Sequence, residues 1–189
     1  MQPDISETSS RTKVLVEITV FASLSAVLYA LRPFTLPFGG SITLGSMVPT
    51  MWLSLRRGVK VGCVSGAIFG LLALFVDIIL LGAASIIATP FQVVLEYPIA
   101  FGVIGLTGLF RYKSAIIAVV GAGFSVFVRF WIHYFVGVFV WSAVYEFPAE
   151  YGLWIWPAIY NGSFLAVEFV ISAILLYALV KKGTLQYRL

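Results

Sequence analysis

The chain of 189 residues is 61% hydrophobic and only 11% charged, with a mean hydropathy of +1.03, whereas a soluble domain carries about 45–50% apolar and about 25% charged residues. That composition excludes a water-soluble globule. At roughly 20 apolar residues per crossing of a bilayer core about 30 Å thick, it leaves room for about six helices and little else. The net charge of +4 does not imply a nucleic-acid partner, because the twelve Lys and Arg residues fall in short clusters between apolar runs, the pattern that sets membrane orientation.

Residues 1–12 are polar, hold Asp4 and Glu7 and lack the basic-then-apolar run of a secretory signal, so they are expected as a short cytoplasmic tail before one membrane domain over 13–189. Apolar runs between charged breaks predict helices at 13–32, 42–55, 58–81, 89–110, 114–141 and 157–180. The expected fold is an all-α integral membrane bundle of six transmembrane helices. Ten of the basic residues, Arg11, Lys13, Arg56, Arg57, Lys60, Arg111, Lys113, Lys181, Lys182 and Arg188, fall at the N-terminus, the 2–3 turn, the 4–5 turn and the C-terminus. The positive-inside rule therefore puts both termini on the cytoplasmic side.

The second span is the odd one. Its fourteen residues reach only about 21 Å at about 1.5 Å per residue, and Pro49 interrupts it. The preceding run Pro33 to Gly40 is apolar but cannot continue a helix, so it reads as a structured outer loop, either a lid presenting Phe34 and Phe38 or a loop wetted at the interface. Gly58, Gly62, Gly66 and Gly70 form a flat stripe expected to pack inside the bundle, and Ala22, Ala26 and Ala30 a second stripe that is a candidate face for a partner. Cys63, the single cysteine, reads as a small packing residue.

Ionisable groups inside spans are costly and therefore mark candidate sites. Glu96, Arg129, His133 and Glu168 are such groups. Counted from the flanking basic residues at about 1.5 Å per residue, Glu96, Arg129 and Glu168 lie about 21–24 Å from the cytoplasmic edge. Arg129 and Glu168, on consecutive antiparallel helices, are expected to form a structural ion pair, which leaves Glu96 without a cation in the chain. His133 lies one turn beyond Arg129, Asn161 two turns from Glu168, and Trp141 two turns beyond His133. Glu96, Tyr97, His133, Trp141, Tyr160 and Asn161 thus converge on the outer half of helices 4 to 6, a set suited to a small, flat, cationic, hydrogen-bonding ligand. A metal-dependent enzyme would need more than one His and one remote Cys, so no metal or cofactor is expected. A serine hydrolase built on His133 with Ser125 or Ser163 would lack the G-x-S-x-G elbow. A facilitator would need a polar path through the apolar inner halves of helices 4 to 6. No G-x-x-x-x-G-K-[ST] loop occurs, so ATP-driven work would fall to another chain.

Four stretches carry a family resemblance: Gly40-Ser41-Ile42-Thr43-Leu44 running to Leu53-Ser54-Leu55-Arg56-Arg57-Gly58; Leu95-Glu96-Tyr97-Pro98; Arg129-Phe130-Trp131-Ile132-His133 with Gly137 and Trp141; and Tyr160-Asn161-Gly162-Ser163-Phe164. In this order they resemble the substrate-binding S components of energy-coupling-factor vitamin transporters, most closely the thiamine-specific type. The resemblance implies a six-helix protein of the prokaryotic cell membrane that captures thiamine from outside and passes it on with a transmembrane coupling subunit and two ATPases. It implies a ligand site of Glu96, Tyr97, His133, Trp141 and Asn161, flanked by Gly137 and Tyr160, and a docking stripe of Ala22, Ala26 and Ala30 on helix 1. Trp156 stands where the thiamine type has a tyrosine, and Phe34 and Phe38 where a tryptophan lid would be looked for. Another vitamin, or a hydroxymethylpyrimidine precursor, stays open as the ligand.

Overall fold

A computed structural model describes residues 5–82, 86–111 and 114–183. Backbone inside a bilayer must satisfy its own hydrogen bonds, so the long apolar runs form helices. These are α1 (Ile5–Ala30), α3 (Val59–Leu81), α4 (Pro90–Phe110), α5 (Ala115–Phe139) and α6 (Gly152–Lys181). All five are long and apolar enough to cross a membrane, and the ten-residue α2 (Val48–Arg57) completes the six. Helix α1 starts at Ile5, so most of the stretch expected as a tail is helical. Helix α6 starts at Gly152 rather than 157, which puts Trp156 and Pro157 inside it.

The second span differs most from expectation. Residues 43–47 are not helical, and Ser41–Ile42 (β2) pairs antiparallel with Phe34–Thr35 (β1), with Phe34 opposite Ile42 and Thr35 opposite Ser41. Pro49 therefore sits in the first turn of α2, where its missing N–H costs nothing. Between the strands, a single turn at Pro37–Gly39 carries Gly39 at φ +94°, a conformation that favours glycine. The hairpin closes one end of the bundle.

At the opposite end Arg57 holds Glu17 through Nε at 2.5 Å and Nη2 at 2.6 Å, and the Arg111 side chain packs over Gly58. The early part of α1, the 2–3 turn and the 4–5 turn therefore share one face, as the charge clusters require. Lys113 and Arg188, also used for orientation, lie outside the described residues.

The glycine stripe of α3 packs inside the bundle. A Cβ on Gly66 would lie 2.3 Å from the Phe101 carbonyl oxygen, and one on Gly70 2.3 Å from that of Tyr97, so α4 rests directly on the α3 backbone. Ser54 of α2 donates to the Gly105 carbonyl, and Ser25 of α1 meets Thr50 of α2 at 3.2 Å. The alanine stripe is corrected. Ala22 and Ala26 are 0% and 9% exposed and belong to the core with Tyr29, Phe69 and Phe101, so only Ala30 faces outward. The reason is that α1 turns its small-residue side to α2 and α3, which lets Ser25 reach Thr50, and leaves Val16, Val20 and Val27 outermost.

Gly66→Val tests this packing. Overpacking against a backbone atom costs about 1–3 kcal/mol, so the variant is expected to melt several degrees below the wild type in detergent. An unchanged melting temperature would show that α3 and α4 are not in backbone contact.

Candidate ligand-binding site

The outer ends of the helices surround an open-mouthed cavity lined by polar and aromatic side chains. Its chemistry starts from an irregularity in α4. Pro98 has no N–H to give to Val94, and the helix widens at Leu95–Ile99 into a π-turn, a distortion that often accompanies functional sites. The wider turn lets the adjacent residues Glu96 and Tyr97 both line the cavity.

Glu96 is the hub. The Trp141 indole Nε1 donates to both of its oxygens, at 3.2 and 3.0 Å, His133 Nδ1 lies 3.3 Å from Oε1, and the Gln92 amide donates to Oε2. Gln92 is fully buried and is itself fixed, donating to the Ile86 carbonyl at 3.2 Å and accepting from Ala88 N–H at 3.2 Å. The sequence reading left Glu96 without a cation. Among the described residues it has no Lys or Arg partner, but three neutral-type donors hold it. Gln92 was missed, although its place four residues before Glu96 on one helix face was a readable signal.

The other walls come from α5 and α6. Helix α5 ends at Phe139, and a short turn at Trp141–Ala143 swings Trp141 back over Glu96, where it stacks on Tyr145 at 5.4 Å. Gly137 lets α6 approach, since a Cβ there would lie 2.8 Å from Pro157 Cβ. Asn161 donates through Nδ2 to the Pro157 carbonyl at 2.9 Å, which leaves its Oδ1 as the acceptor available to the cavity. Trp156 and Tyr160 stand one turn apart with ring centres 6.2 Å apart, and both line the cavity.

The hairpin lines the cavity, but not through a pair of phenylalanines. Tyr160 Oη donates to the Pro37 carbonyl and accepts from Gly40 N–H at 2.9 Å, which pins the hairpin to α6. Gly39, Gly40 and Ser41 face the cavity, while Phe34 is 66% exposed. The register explains this: Phe34 shares its ribbon face with Ile42, opposite to the face of Ser41. The Phe38 side chain lies outside the description.

The expected Arg129–Glu168 ion pair is not formed. The non-helical lead-in to α2 passes between them: Thr43 N–H donates to Glu168, and Met47 Sδ lies 3.2 Å from Arg129 Nη1. Arg129 instead lies over the Phe101 ring at 4.0 Å and donates from Nε to His133 Nε2 at 3.3 Å.

A second ionic centre, Asp77, was missed in the sequence although it is the one acid in the apolar run of α3. It is 3% exposed and lies 2.6 Å from Arg32, and its Oδ2 accepts from Tyr29 and Tyr97, each at 2.9 Å. Asp77 therefore fixes the Tyr97 wall and the foot of the lid together.

A lidded, polar-floored cavity in a membrane bundle defines a small-ligand-binding membrane protein. Ser125 lies 2.9 Å from the Ala122 carbonyl oxygen and 3.0 Å from Thr107 Oγ1, and Ser163 donates to the Tyr160 carbonyl at 2.7 Å, so both hydroxyls are engaged within the protein. The chain belongs to the thiamine transporter protein family, whose sequence profile matches residues 15–187; this is a family of transporters, not of enzymes. It is 27% identical to the thiamine transporter ThiT of Lacticaseibacillus paracasei over 181 residues, covering 88% of this chain and 86% of that protein. It is 28% identical to ThiT of Bacillus subtilis over 177 residues, covering 86% and 87% of the two chains. The fold is similar to the solved structure of ThiT from Listeria monocytogenes, with a TM-score of 0.74 and 25% identity over 93% of this chain and 98% of that one.

The Asp77 centre makes a prediction. Removing one partner of a buried pair costs about 3–5 kcal/mol, because the other charge is stranded. Asp77→Asn is therefore expected to lower the melting temperature more than the double variant Asp77→Asn with Arg32→Gln. Strictly additive losses in that double-mutant cycle would show that the two side chains are not coupled.

Proposed function

We propose that the chain captures thiamine from outside the cell in this cavity, as the substrate-binding component of a bacterial membrane importer. The observation that carries the reading is Glu96, a carboxylate at the cavity wall held by Gln92, His133 and Trp141 and by no Lys or Arg among the described residues. Its charge is dispersed over hydrogen bonds and not cancelled, so it serves as counter-charge to a cation. An aminopyrimidine amine donates to Glu96 and to Asn161 Oδ1 in charge-assisted and neutral bonds respectively. A thiazolium ring is attracted to the faces of Tyr97, Trp141, Trp156 and Tyr160. Gly137 keeps α5 and α6 close enough for Asn161 and the Glu96 that His133 holds to serve one ligand.

Delivery follows from the same reading. None of the 189 residues forms a phosphate-binding loop, so uptake is driven by a membrane coupling subunit and two ATPase subunits that this component joins. Bacterial relatives and five crossing helices support placement in the cell membrane.

Glu96→Gln tests the reading. It keeps the shape of the side chain while removing the charge, and is expected to weaken thiamine binding by about 2–5 kcal/mol, the cost of truncating one side of a desolvated charge contact. Titration calorimetry on the detergent-purified protein measures this. Equal affinity in variant and wild type would remove Glu96 from the site.

A further inference from the structure

We propose that Arg129 is a positioning residue, which holds His133 as the neutral tautomer protonated on Nδ1 and so preserves the charge of Glu96. Which atoms can donate decides the tautomer. A guanidinium has five N–H donors and no acceptor. Arg129 Nε lies 3.3 Å from His133 Nε2 in a linear enough geometry to donate, so Nε2 supplies the lone pair. A neutral imidazole with its lone pair on Nε2 carries its proton on Nδ1. That nitrogen faces Glu96 Oε1 at 3.3 Å, and a carboxylate only accepts. Both contacts of the ring independently demand the same tautomer.

The surroundings hold Arg129 to this task. Its guanidinium rests on the Phe101 ring at 4.0 Å, and its Nη1 points at Met47 Sδ at 3.2 Å. The carboxylate that would draw it away, Glu168, is engaged by Thr43 N–H. Arg129 is 7% exposed, so water does not compete for Nε. An imidazolium at His133 would set a second N–H against the arginine and would cancel the Glu96 charge. The arrangement Arg⁺, neutral His, Glu⁻ keeps that charge open to the cavity. It also leaves His133 no lone pair to offer a ligand, so beside it the acceptor role falls to Glu96 and Asn161 Oδ1, a selection in favour of an exocyclic amine.

The consequence for binding rests on the thiamine reading, but the tautomer does not, and the test separates them. His133 is the single histidine of the chain, so ¹⁵N-histidine labelling yields one imidazole. Long-range ¹H–¹⁵N spectra of the full-length, ligand-free protein in detergent are expected to show a protonated Nδ1 and a bare Nε2. R129M should let Nε2 take up a second proton, giving an imidazolium, and R129K, which keeps a donor, should retain the wild-type pattern. R129M should also weaken thiamine binding about three- to tenfold, the value of one hydrogen bond. A wild-type spectrum with protonated Nε2, or an R129M spectrum identical to wild type, overturns the proposal; if R129M does not fold, the wild-type spectrum and R129K decide it. The Nδ1–H tautomer in a protein that ignores thiamine would uphold the role of Arg129 and overturn the functional reading, while tight thiamine binding by a protein with Nε2–H would do the reverse.

Discussion

A carboxylate deep in a membrane bundle loses the hydration that makes its charge affordable in water, and the protein must replace that hydration atom by atom. The outer half of this fold is organised by that demand at Glu96. Gln92 lies one turn earlier on α4, His133 comes from the outer third of α5, and Trp141 from a turn that folds back after α5 has ended. Each donor brings a different segment to one point, so the site is assembled by the same bonds that keep the charge tolerable. These donors spread the charge of Glu96 over hydrogen bonds at the cavity wall without placing a Lys or Arg against it among the described residues.

The other buried charges are handled differently, and the contrast defines their roles. Asp77 is matched by Arg32, and with Tyr29 and Tyr97 bound to its second oxygen it ties α1, α3 and α4 together at the foot of the lid. Arg32 lies two residues before the lid strand at Phe34, while Tyr97 is a wall of the cavity. Tyr160 pins the far side of the same lid through Pro37 and Gly40. Hairpin and wall therefore share supports: Tyr160 is bonded to the hairpin directly, and Tyr97 is joined to its foot through Asp77 and Arg32. Arg129, with no carboxylate in contact among the described residues, is stabilised by an aromatic face, a thioether and an imidazole nitrogen.

Much of this was legible in the sequence because membranes impose strong rules on composition. Span number and the shared face of the basic clusters follow from apolar run length and the positions of Lys and Arg. Glu96, Tyr97, His133, Trp141, Tyr160 and Asn161 were found because polar and aromatic residues at matching depths on neighbouring helices are conspicuous there, and all six line the cavity. What was hidden depended on backbone excursions without a local signature. Depth counting matched Arg129 to Glu168, but could not show that residues 43–47 leave the helix and run between them. The alanine stripe of α1 was visible, but periodicity does not say which neighbour a face meets, and Ala22 and Ala26 meet the core. Phe34 faced the wrong way because a two-residue strand pairing sets its side, and that pairing is a tertiary fact.

The central claim is that a cation settles beside Glu96 and against the face of the indole that donates to it, and the fluorescence of Trp141 reports on that position directly. The measurement is tryptophan emission of the purified protein titrated with thiamine, in parallel with riboflavin and biotin, in wild type and in Trp141→Phe. The account predicts saturable quenching by thiamine alone, most of which disappears in Trp141→Phe. Emission indifferent to thiamine, or a saturable response to riboflavin or biotin in its place, would contradict it.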